Sequence, residues 1–380
     1  MQKFDIVVIG AGPAGSAAAH TAAKEGASVL LLEEHPEIGI PVVCAEGLSR
    51  KSIAGYLDVQ PEWISQHLQG AVIRGPHDQE FNIDYAGCGW VLDRATFDPA
   101  LGRMAQDAGA VVRTNSRAVG VSDQTLTVLH HGRKEQYGYR YIIGADGMRS
   151  RVGAWFDADT RLRVDEISVC AEYLLEDISV DPSYAWLLFG ERYAPGGYAW
   201  VFPKSRTSAN VGLGISPVRT RLRAKQMLDT WIAREFPGAT VKRKIFGGVS
   251  ARILKRFSGD RFYLVGDAAR LADPLSGAGI ANGIKSGVLA GRNAVARLKG
   301  KKDTFHADLR AAVLKEITYS QSVRNVYMRM TDKEYEHIFR IGKKIFAGHT
   351  VQSVSIRRIV REVVLMSPYI MKSALKLLLR

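Results

Sequence analysis

A lone cysteine stands between a proline and a glycine in Pro41-x-x-Cys44-x-x-Gly47. A thiol in such a turn can hold a proton for a reaction, pack as a small apolar group, pair in a disulfide or ligate a metal. Two aspartates follow short apolar runs, Asp146 in Gly144-Ala-Asp146-Gly147 and Asp267 in Gly266-Asp267. Strands that end in Gly-Asp or Gly-Ala-Asp at the crevice where open α/β sheets bind ligands suit a long ligand. Glu33 ends another apolar run, Ser28 to Leu32, and can accept hydrogen bonds from a ribose.

These side chains need elements to position them. Phe4 to Ile9 is a nearly continuous apolar run, as expected of a buried parallel strand. Gly10-Ala-Gly12-Pro-Ala-Gly15 follows, then helical residues Ser16 to Lys24, then the Ser28–Leu32 strand. This is a βαβ unit with a G-x-G-x-x-G turn. Gly10 makes the tight turn, Gly12 lets the backbone approach a pyrophosphate, and Gly15 lets helix and strand pack closely. The helix N-terminus offers free N–H groups and partial positive charge to phosphates. A carboxylate at Glu33 repels a 2′-phosphate, which points to FAD or NAD rather than NADP. The later strands Tyr139–Ile143 and Phe262–Val265 run into Gly-Ala-Asp-Gly and Gly-Asp, and suit a ligand longer than one βαβ unit holds. Asp267 is placed for the ribityl hydroxyls of FAD. A helix beginning near Gly277 would aim its N-terminus at the flavin's pyrimidine end.

The 380 residues are enough for two domains, and 46% hydrophobic content with 37 glycines fits a soluble α/β protein. No apolar run approaches the roughly 20 residues needed to cross a bilayer, and the chain enters a strand at once, so no signal peptide is expected. Three cysteines, Cys44, Cys88 and Cys170, show no zinc spacing, so no metal is expected, and they suit a reducing interior. A Cys44–Cys88 bridge stays open at this point. The net charge of +14 calls for an anionic partner. Basic residues concentrate between Arg340 and Arg380, interleaved with Ile356, Ile359, Val360, Val363, Val364 and Leu375 to Leu379, with Glu362 as the one acid. Such amphipathic helices either cover the domain or lie on a membrane surface. No nucleic-acid-binding motif is present.

The G-x-G-x-x-G turn with Glu33, Leu92-Asp-Arg94-Ala-Thr-Phe-Asp98, Gly144-Ala-Asp-Gly147 and Gly266-Asp-Ala-Ala269 together resemble the p-hydroxybenzoate-hydroxylase-like FAD superfamily. Two segments narrow the resemblance: Pro41-x-x-Cys44-x-x-Gly47, and Tyr198-x-Trp200-x-Phe202-Pro203 followed after eight residues by Gly212-x-Gly214. Both look like signatures of geranylgeranyl reductases, particularly the archaeal digeranylgeranylglycerophospholipid reductases. The resemblance covers residues 1 to about 300 and continues more loosely beyond. It implies FAD-dependent saturation of isoprenoid C=C bonds on glycerophospholipids. It also implies FAD contacts at Ala14, Gly15, Glu33, Cys44, Ala45, Gly47, Arg94, Ala118, Asp267, Gly279 and Ile280.

Tyr198, Trp200 and Phe202 alternate, so on a strand they share one face and can wall an apolar chain. An isolated alkene has no carbonyl to take up charge, so its reduction needs a proton source, and Cys44 is the candidate catalytic residue. Its alternatives are packing on the flavin or redox pairing with Cys88. No second G-x-G-x-x-G unit exists for a nicotinamide, so electrons come from a transient NAD(P)H or from an acidic carrier such as ferredoxin. Competing activities are an FAD monooxygenase of the same superfamily, reduction of geranylgeranyl diphosphate, and a membrane-docked electron shuttle. The expected architecture is α/β. A Rossmann-type FAD-binding domain is expected from 1–55, 90–155 and 255–300. An antiparallel β-sheet substrate domain is expected from 56–89 and 156–254, and a helical region from 301–380. The expected location is cytoplasmic, peripheral at the membrane surface.

Overall fold

The structure, a computed structural model, describes residues 1–346. Residues 347–380, and with them most of the basic amphipathic stretch, lie outside the described residues. Fifteen strands, numbered in chain order, form two sheets among the described residues. The first holds β1 (Gln2–Ile9), β2 (Val29–Leu32), β6 (Val111–Arg113), β7 (Ser116–Ser122), β8 (Thr125–His130), β9 (Arg133–Gly144) and β15 (Phe262–Leu264). Its order is β6-β2-β1-β9-β8-β7, with β15 on the far part of β9. The pairs β6–β2, β2–β1, β1–β9 and β9–β15 are parallel. Ile6, Val7, Val8, Leu30, Leu31 and Ile142 are buried at this sheet's centre, which explains their unbroken apolar runs.

The second sheet holds β3 (Gly47–Ser49), β4 (Ile64–Arg74), β5 (Glu80–Leu92), β10 (Ile167–Glu176), β11 (Tyr184–Leu188), β12 (Tyr198–Pro203), β13 (Ser208–Ile215) and β14 (Thr240–Ser250). Its order is β14-β10-β13-β12-β11-β4-β5-β3, antiparallel except for β11–β4. β3, just after the cysteine turn, pairs with the end of β5, Gly47 opposite Val91. The cysteine turn therefore bridges the two sheets.

The helices are α1 (Pro13–Lys24), α2 (Arg50–Ile53), α3 (Arg94–Asp107), α4 (Arg151–Trp155), α5 (Ala224–Glu235), α6 (Ile280–Leu298), α7 (Phe305–Leu309), α8 (Lys315–Tyr327) and α9 (Asp332–Phe346). α1 and α6 pack through small residues. A Cβ on Gly287 would lie 2.1 Å from Ala14 O, and one on Gly291 would lie 2.7 Å from Ala18 O. This close approach sets the N-termini of both helices at one crevice.

The second sheet has two different faces, set by the period of two along each strand. Ala171, Tyr173, Val201, Val211 and Leu213 pack against Leu228, Trp231 and Ile232 of α5. The alternate residues, Cys170, Glu172, Tyr198, Trp200, Phe202 and Gly214, look the other way and line a cavity. α8 and α9 close its far end, where Met330, Tyr335 and Phe339 pack with Ile73, Phe81 and Phe189.

Candidate active site

The crevice between α1 and α6 is made mostly of backbone. Gly10 has φ +98°, and a Cβ there would stand 2.4 Å from Ala145 O. A Cβ on Gly15 would strike Gly10 O at 1.8 Å, so the turn admits neither side chain. A Cβ on Gly12 would meet nothing within 4 Å, which leaves open the side a pyrophosphate would take. α1 has no side-chain cap at Gly12, nor α6 at Gly279, so their first N–H groups are unclaimed by a capping side chain. Burial pushes the Asp267 carboxyl up, with Arg94 opposing. Asp267, Gly279, Ile280, Ala14, Ala45 and Gly47 line the same cavity. These features fit FAD: open backbone for the phosphates, a buried carboxyl for the ribityl hydroxyls, and a helix N-terminus beyond.

Other expected cofactor residues sit differently. The Glu33 carboxylate accepts hydrogen bonds from Ala11 N–H at 2.9 Å and His35 N–H at 3.0 Å, tying the glycine turn to the end of β2. Ala118 is buried in β7 within the first core. Arg94 lines the cavity, but its guanidinium is already engaged by Asp98 at 2.5 and 2.6 Å. Burial opposes its charge, yet Asp98 and the neighbouring Cys44 thiol hold its pKa up.

The aromatic row is assembled as expected. Tyr198, Trp200 and Phe202 line the cavity, with ring centroids 5.7 and 6.4 Å apart along the strand. Tyr198 donates to Ser276 O at 2.5 Å. Trp200 donates from Nε1 to Glu172 Oε2 at 2.9 Å, two strands away. Register explains how: Glu172 faces Gly212, and Gly212 faces Trp200. A Cβ on Gly212 would fall 2.5 Å from the indole. The Gly212-x-Gly214 spacing is thus the floor on which the Trp200 ring lies.

Sequence reasoning missed a buried polar clasp. Glu46, 1% exposed, accepts from Lys204 Nζ at 2.7 Å, Asn210 Nδ2 at 2.6 Å and Arg94 N–H at 2.8 Å. It joins the cysteine turn to β12, β13 and α3. The signal lay inside the motifs: Glu46 precedes Gly47, Lys204 follows Pro203, and Asn210 sits two before Gly212. Glu172 was missed as well. It is 3% exposed, and its Oε1 has no partner among the described residues. Burial, opposed by the Trp200 indole and reinforced by Glu46, pushes its carboxyl up to about 8. Cys44, Cys88 and Cys170 are free thiols, so no Cys44–Cys88 bridge is present. Burial raises the Cys44 thiol against the pull of Arg94 and a hydrogen bond from Glu46 N–H at 3.2 Å. Burial and the neighbouring Glu172 push Cys170 to about 12. At neutral pH the thiols of Cys44 and Cys170 and the carboxyl of Glu172 are therefore all protonated on this wall.

The cavity encloses about 1200 Å³ and runs from Gly12 and Asp267, past Cys44 and Trp200, to Phe339 and Ile345 of α9. Beyond the crevice its lining is mainly apolar.

The chain matches two family models: an FAD-dependent oxidoreductase over residues 5–140, and a geranylgeranyl reductase catalytic domain over residues 166–251. It is 36% identical to a digeranylgeranylglycerophospholipid reductase of Methanosarcina acetivorans, over 88% of this chain and 87% of that one. It is also 36% identical to the enzyme of that name from Methanosphaerula palustris, over 96% of each chain. A solved geranylgeranyl bacteriochlorophyll reductase-like protein of Thermoplasma acidophilum matches with a TM-score of 0.90 at 29% identity, covering 99% of this chain and 100% of that one. A flavin-dependent brominase shares the fold alone, with a TM-score of 0.69 at 18% identity over 98% and 97% of the two chains. With its cofactor crevice, its aromatic wall and these relatives, the chain belongs to the geranylgeranyl reductase family of FAD-dependent oxidoreductases.

Proposed function

We propose that this chain saturates the isoprenoid double bonds of geranylgeranyl chains carried on a glycerophospholipid. The observation that carries this reading is the continuous cavity from the FAD crevice, past the aromatic row, to α8 and α9. Its roughly 1200 Å³ take in both the cofactor crevice and the apolar lumen beside it.

FAD, when bound and reduced, supplies the two electrons of the reduction. The chain supplies the rest. Gly12 and the α1 N-terminus hold the phosphates, and Asp267 holds the ribityl chain. Gly10, Gly15 and Glu33 shape that crevice, Ala45, Gly47, Gly279 and Ile280 line it, and Ala118 would act only from the core behind it. Tyr198, Trp200 and Phe202 bind the hydrocarbon and exclude water from it. An unactivated alkene must also gain a proton, and among the protonated groups on the wall Cys44 Sγ and Glu172 Oε1 are the candidate donors. Cys44→Ser tests the first, and unchanged turnover would reduce Cys44 to packing.

Trp200→Glu tests the lipid wall. FAD absorbance at 450 nm should persist while lipid turnover falls below detection; normal turnover would remove the row from the site.

Electrons come from an acidic carrier such as ferredoxin or from a transient NAD(P)H. The +14 charge supports the carrier. Anaerobic stopped-flow reduction with each donor decides, and fast reduction by NAD(P)H alone would sink the carrier reading. The protein works at the membrane surface. Burying a twenty-carbon chain at about 0.8 kcal/mol per carbon is worth on the order of 16 kcal/mol, so the substrate stays in the bilayer unless given comparable cover. No helix among the described residues is long and apolar enough to cross a membrane. Co-sedimentation with anionic vesicles should exceed that with neutral ones and weaken in high salt. Equal binding to both would contradict the surface contact.

A further inference from the structure

Arg324 of α8 is 7% exposed and lines the cavity. Its guanidinium forms no hydrogen bond and no ion pair among the described residues, and its Nη2 is fully enclosed without an acceptor. Its neighbours along that wall are Val323, Val326 and Tyr327. The nearby Tyr327 hydroxyl donates to Gly197 O and forms no hydrogen bond with Arg324.

Other buried cations are differently placed. Arg94 is paired with Asp98, Lys204 with Glu46, and Arg270 with Glu166. The carboxyl groups on the cavity wall do not serve Arg324 either. Glu46 belongs to the clasp, Glu172 bonds Trp200, and Asp267 lies at the FAD crevice. Burial lowers the pKa of Arg324, so leaving it unpaired opposes its charge. A buried charge without a partner is strongly unfavourable, and an anion that enters the cavity relieves that state. A guanidinium offers two parallel N–H donors that match the oxygens of a phosphate.

We propose that Arg324 is the anion anchor of the cavity and binds the phosphate of a lipid headgroup whose hydrocarbon chains occupy the apolar lumen. This rests on the reading that the cavity takes isoprenoid lipids. It adds a reason for the enzyme to prefer a phosphate-headed lipid over a neutral one with the same chains.

The test uses the full-length, FAD-loaded protein. The probes are digeranylgeranylglycerophosphate, neutral digeranylgeranylglycerol and inorganic phosphate, followed by tryptophan fluorescence. Arg324→Met should weaken the phosphate-headed lipid at least tenfold, which is about 1.4 kcal/mol, and leave the neutral lipid within twofold. The melting temperature of the lipid-free variant should hold or rise, because an unpaired buried charge has been removed. Arg324→Lys should fall between the two, and serves alone if the methionine variant loses its flavin. Equal loss of both lipids, or a fall in melting temperature, would make Arg324 structural and overturn the proposal. Inorganic phosphate should compete only at concentrations at least a hundredfold above the lipid. Competition at equal concentration would assign the site to a free anion and overturn the headgroup. If Glu362→Gln changes melting temperature and lipid preference as Arg324→Met does, the chain supplies its own counter-ion and the proposal falls. Failure of the neutral lipid to bind the unmutated protein would instead sink the cavity reading itself.

Discussion

The two halves of the cavity solve different problems with different materials. The FAD crevice is made largely of backbone: two helix N-termini without side-chain caps and a turn in which Gly10 and Gly15 leave no room for a Cβ. The opposite wall is made of side chains: an aromatic row, protonated acids that include Cys44 and Glu172, and a buried clasp around Glu46. A phosphate can be held by peptide N–H groups wherever the chain is close enough. A hydrocarbon offers no hydrogen bonds, so it must be held by shape, and the polar groups beside it must be few and fully paired. Glu172 Oε1 is an exception among the carboxyl oxygens of that wall. An unpaired, proton-bearing oxygen beside a binding site is costly as structure and useful as chemistry.

The sharpest way to separate the two halves is Gly12→Asp. Nothing lies within 4 Å of a Cβ there, so the apoprotein should fold with an unchanged melting temperature. The carboxylate would face the pyrophosphate, and FAD affinity should drop more than a hundredfold. Retained flavin colour would show that the phosphates bind elsewhere. On the opposite wall, Glu172→Gln keeps shape and the indole hydrogen bond but removes the titrating proton. Single-turnover rate should fall about a hundredfold or more, within the usual range for an acid catalyst. In the unmutated protein that rate should decline as pH rises through about 8, and the variant should lose this limb.

The stability sign follows from the same group. Its carboxyl is raised from 4.5 to about 8 on folding, so the folded state binds the proton more tightly. Its contribution is fully present below pH 4.5 and is lost as pH rises toward 8. Urea midpoints of the protein and of Glu172→Gln across that window check the slope; parallel curves would contradict the shift. An effect on stability alone belongs to the clasp. Glu46→Gln leaves the half-buried Lys204 without its carboxylate and should cost up to about 3 kcal/mol, read by urea unfolding of the apoprotein, while the FAD crevice itself keeps its geometry. A cost below 1 kcal/mol would show that the clasp does not hold the two sheets together.

The contrast also explains what could be read from the chain in advance. The glycine turn was legible because its function is local: each glycine serves a backbone position within a few residues. The aromatic row was legible because alternation on one strand fixes one face. Glu46, Glu172 and Arg324 were not, because their roles depend on partners or surfaces distant in sequence. Glu172 meets Trp200 only through the β10–β13–β12 register, with Gly212 as the gap between them. β3 was not legible either, since three residues carry too little pattern to mark a strand or choose a sheet. Glu33 stands beside the glycine turn and Arg94 on the cavity wall, yet each has a partner in the chain, the Ala11 and His35 N–H groups for one and Asp98 for the other.

The measurement that tests the central claim most directly is a single turnover. The FAD-loaded protein is reduced chemically without oxygen, a geranylgeranyl glycerophospholipid is added, and the lipid is weighed by mass spectrometry. A gain of two hydrogens per reduced bond, with the flavin returning to its oxidised spectrum, is the predicted result. An unchanged lipid beside a flavin that reoxidises only in air would contradict the reductase reading and favour oxygen chemistry in the same cavity.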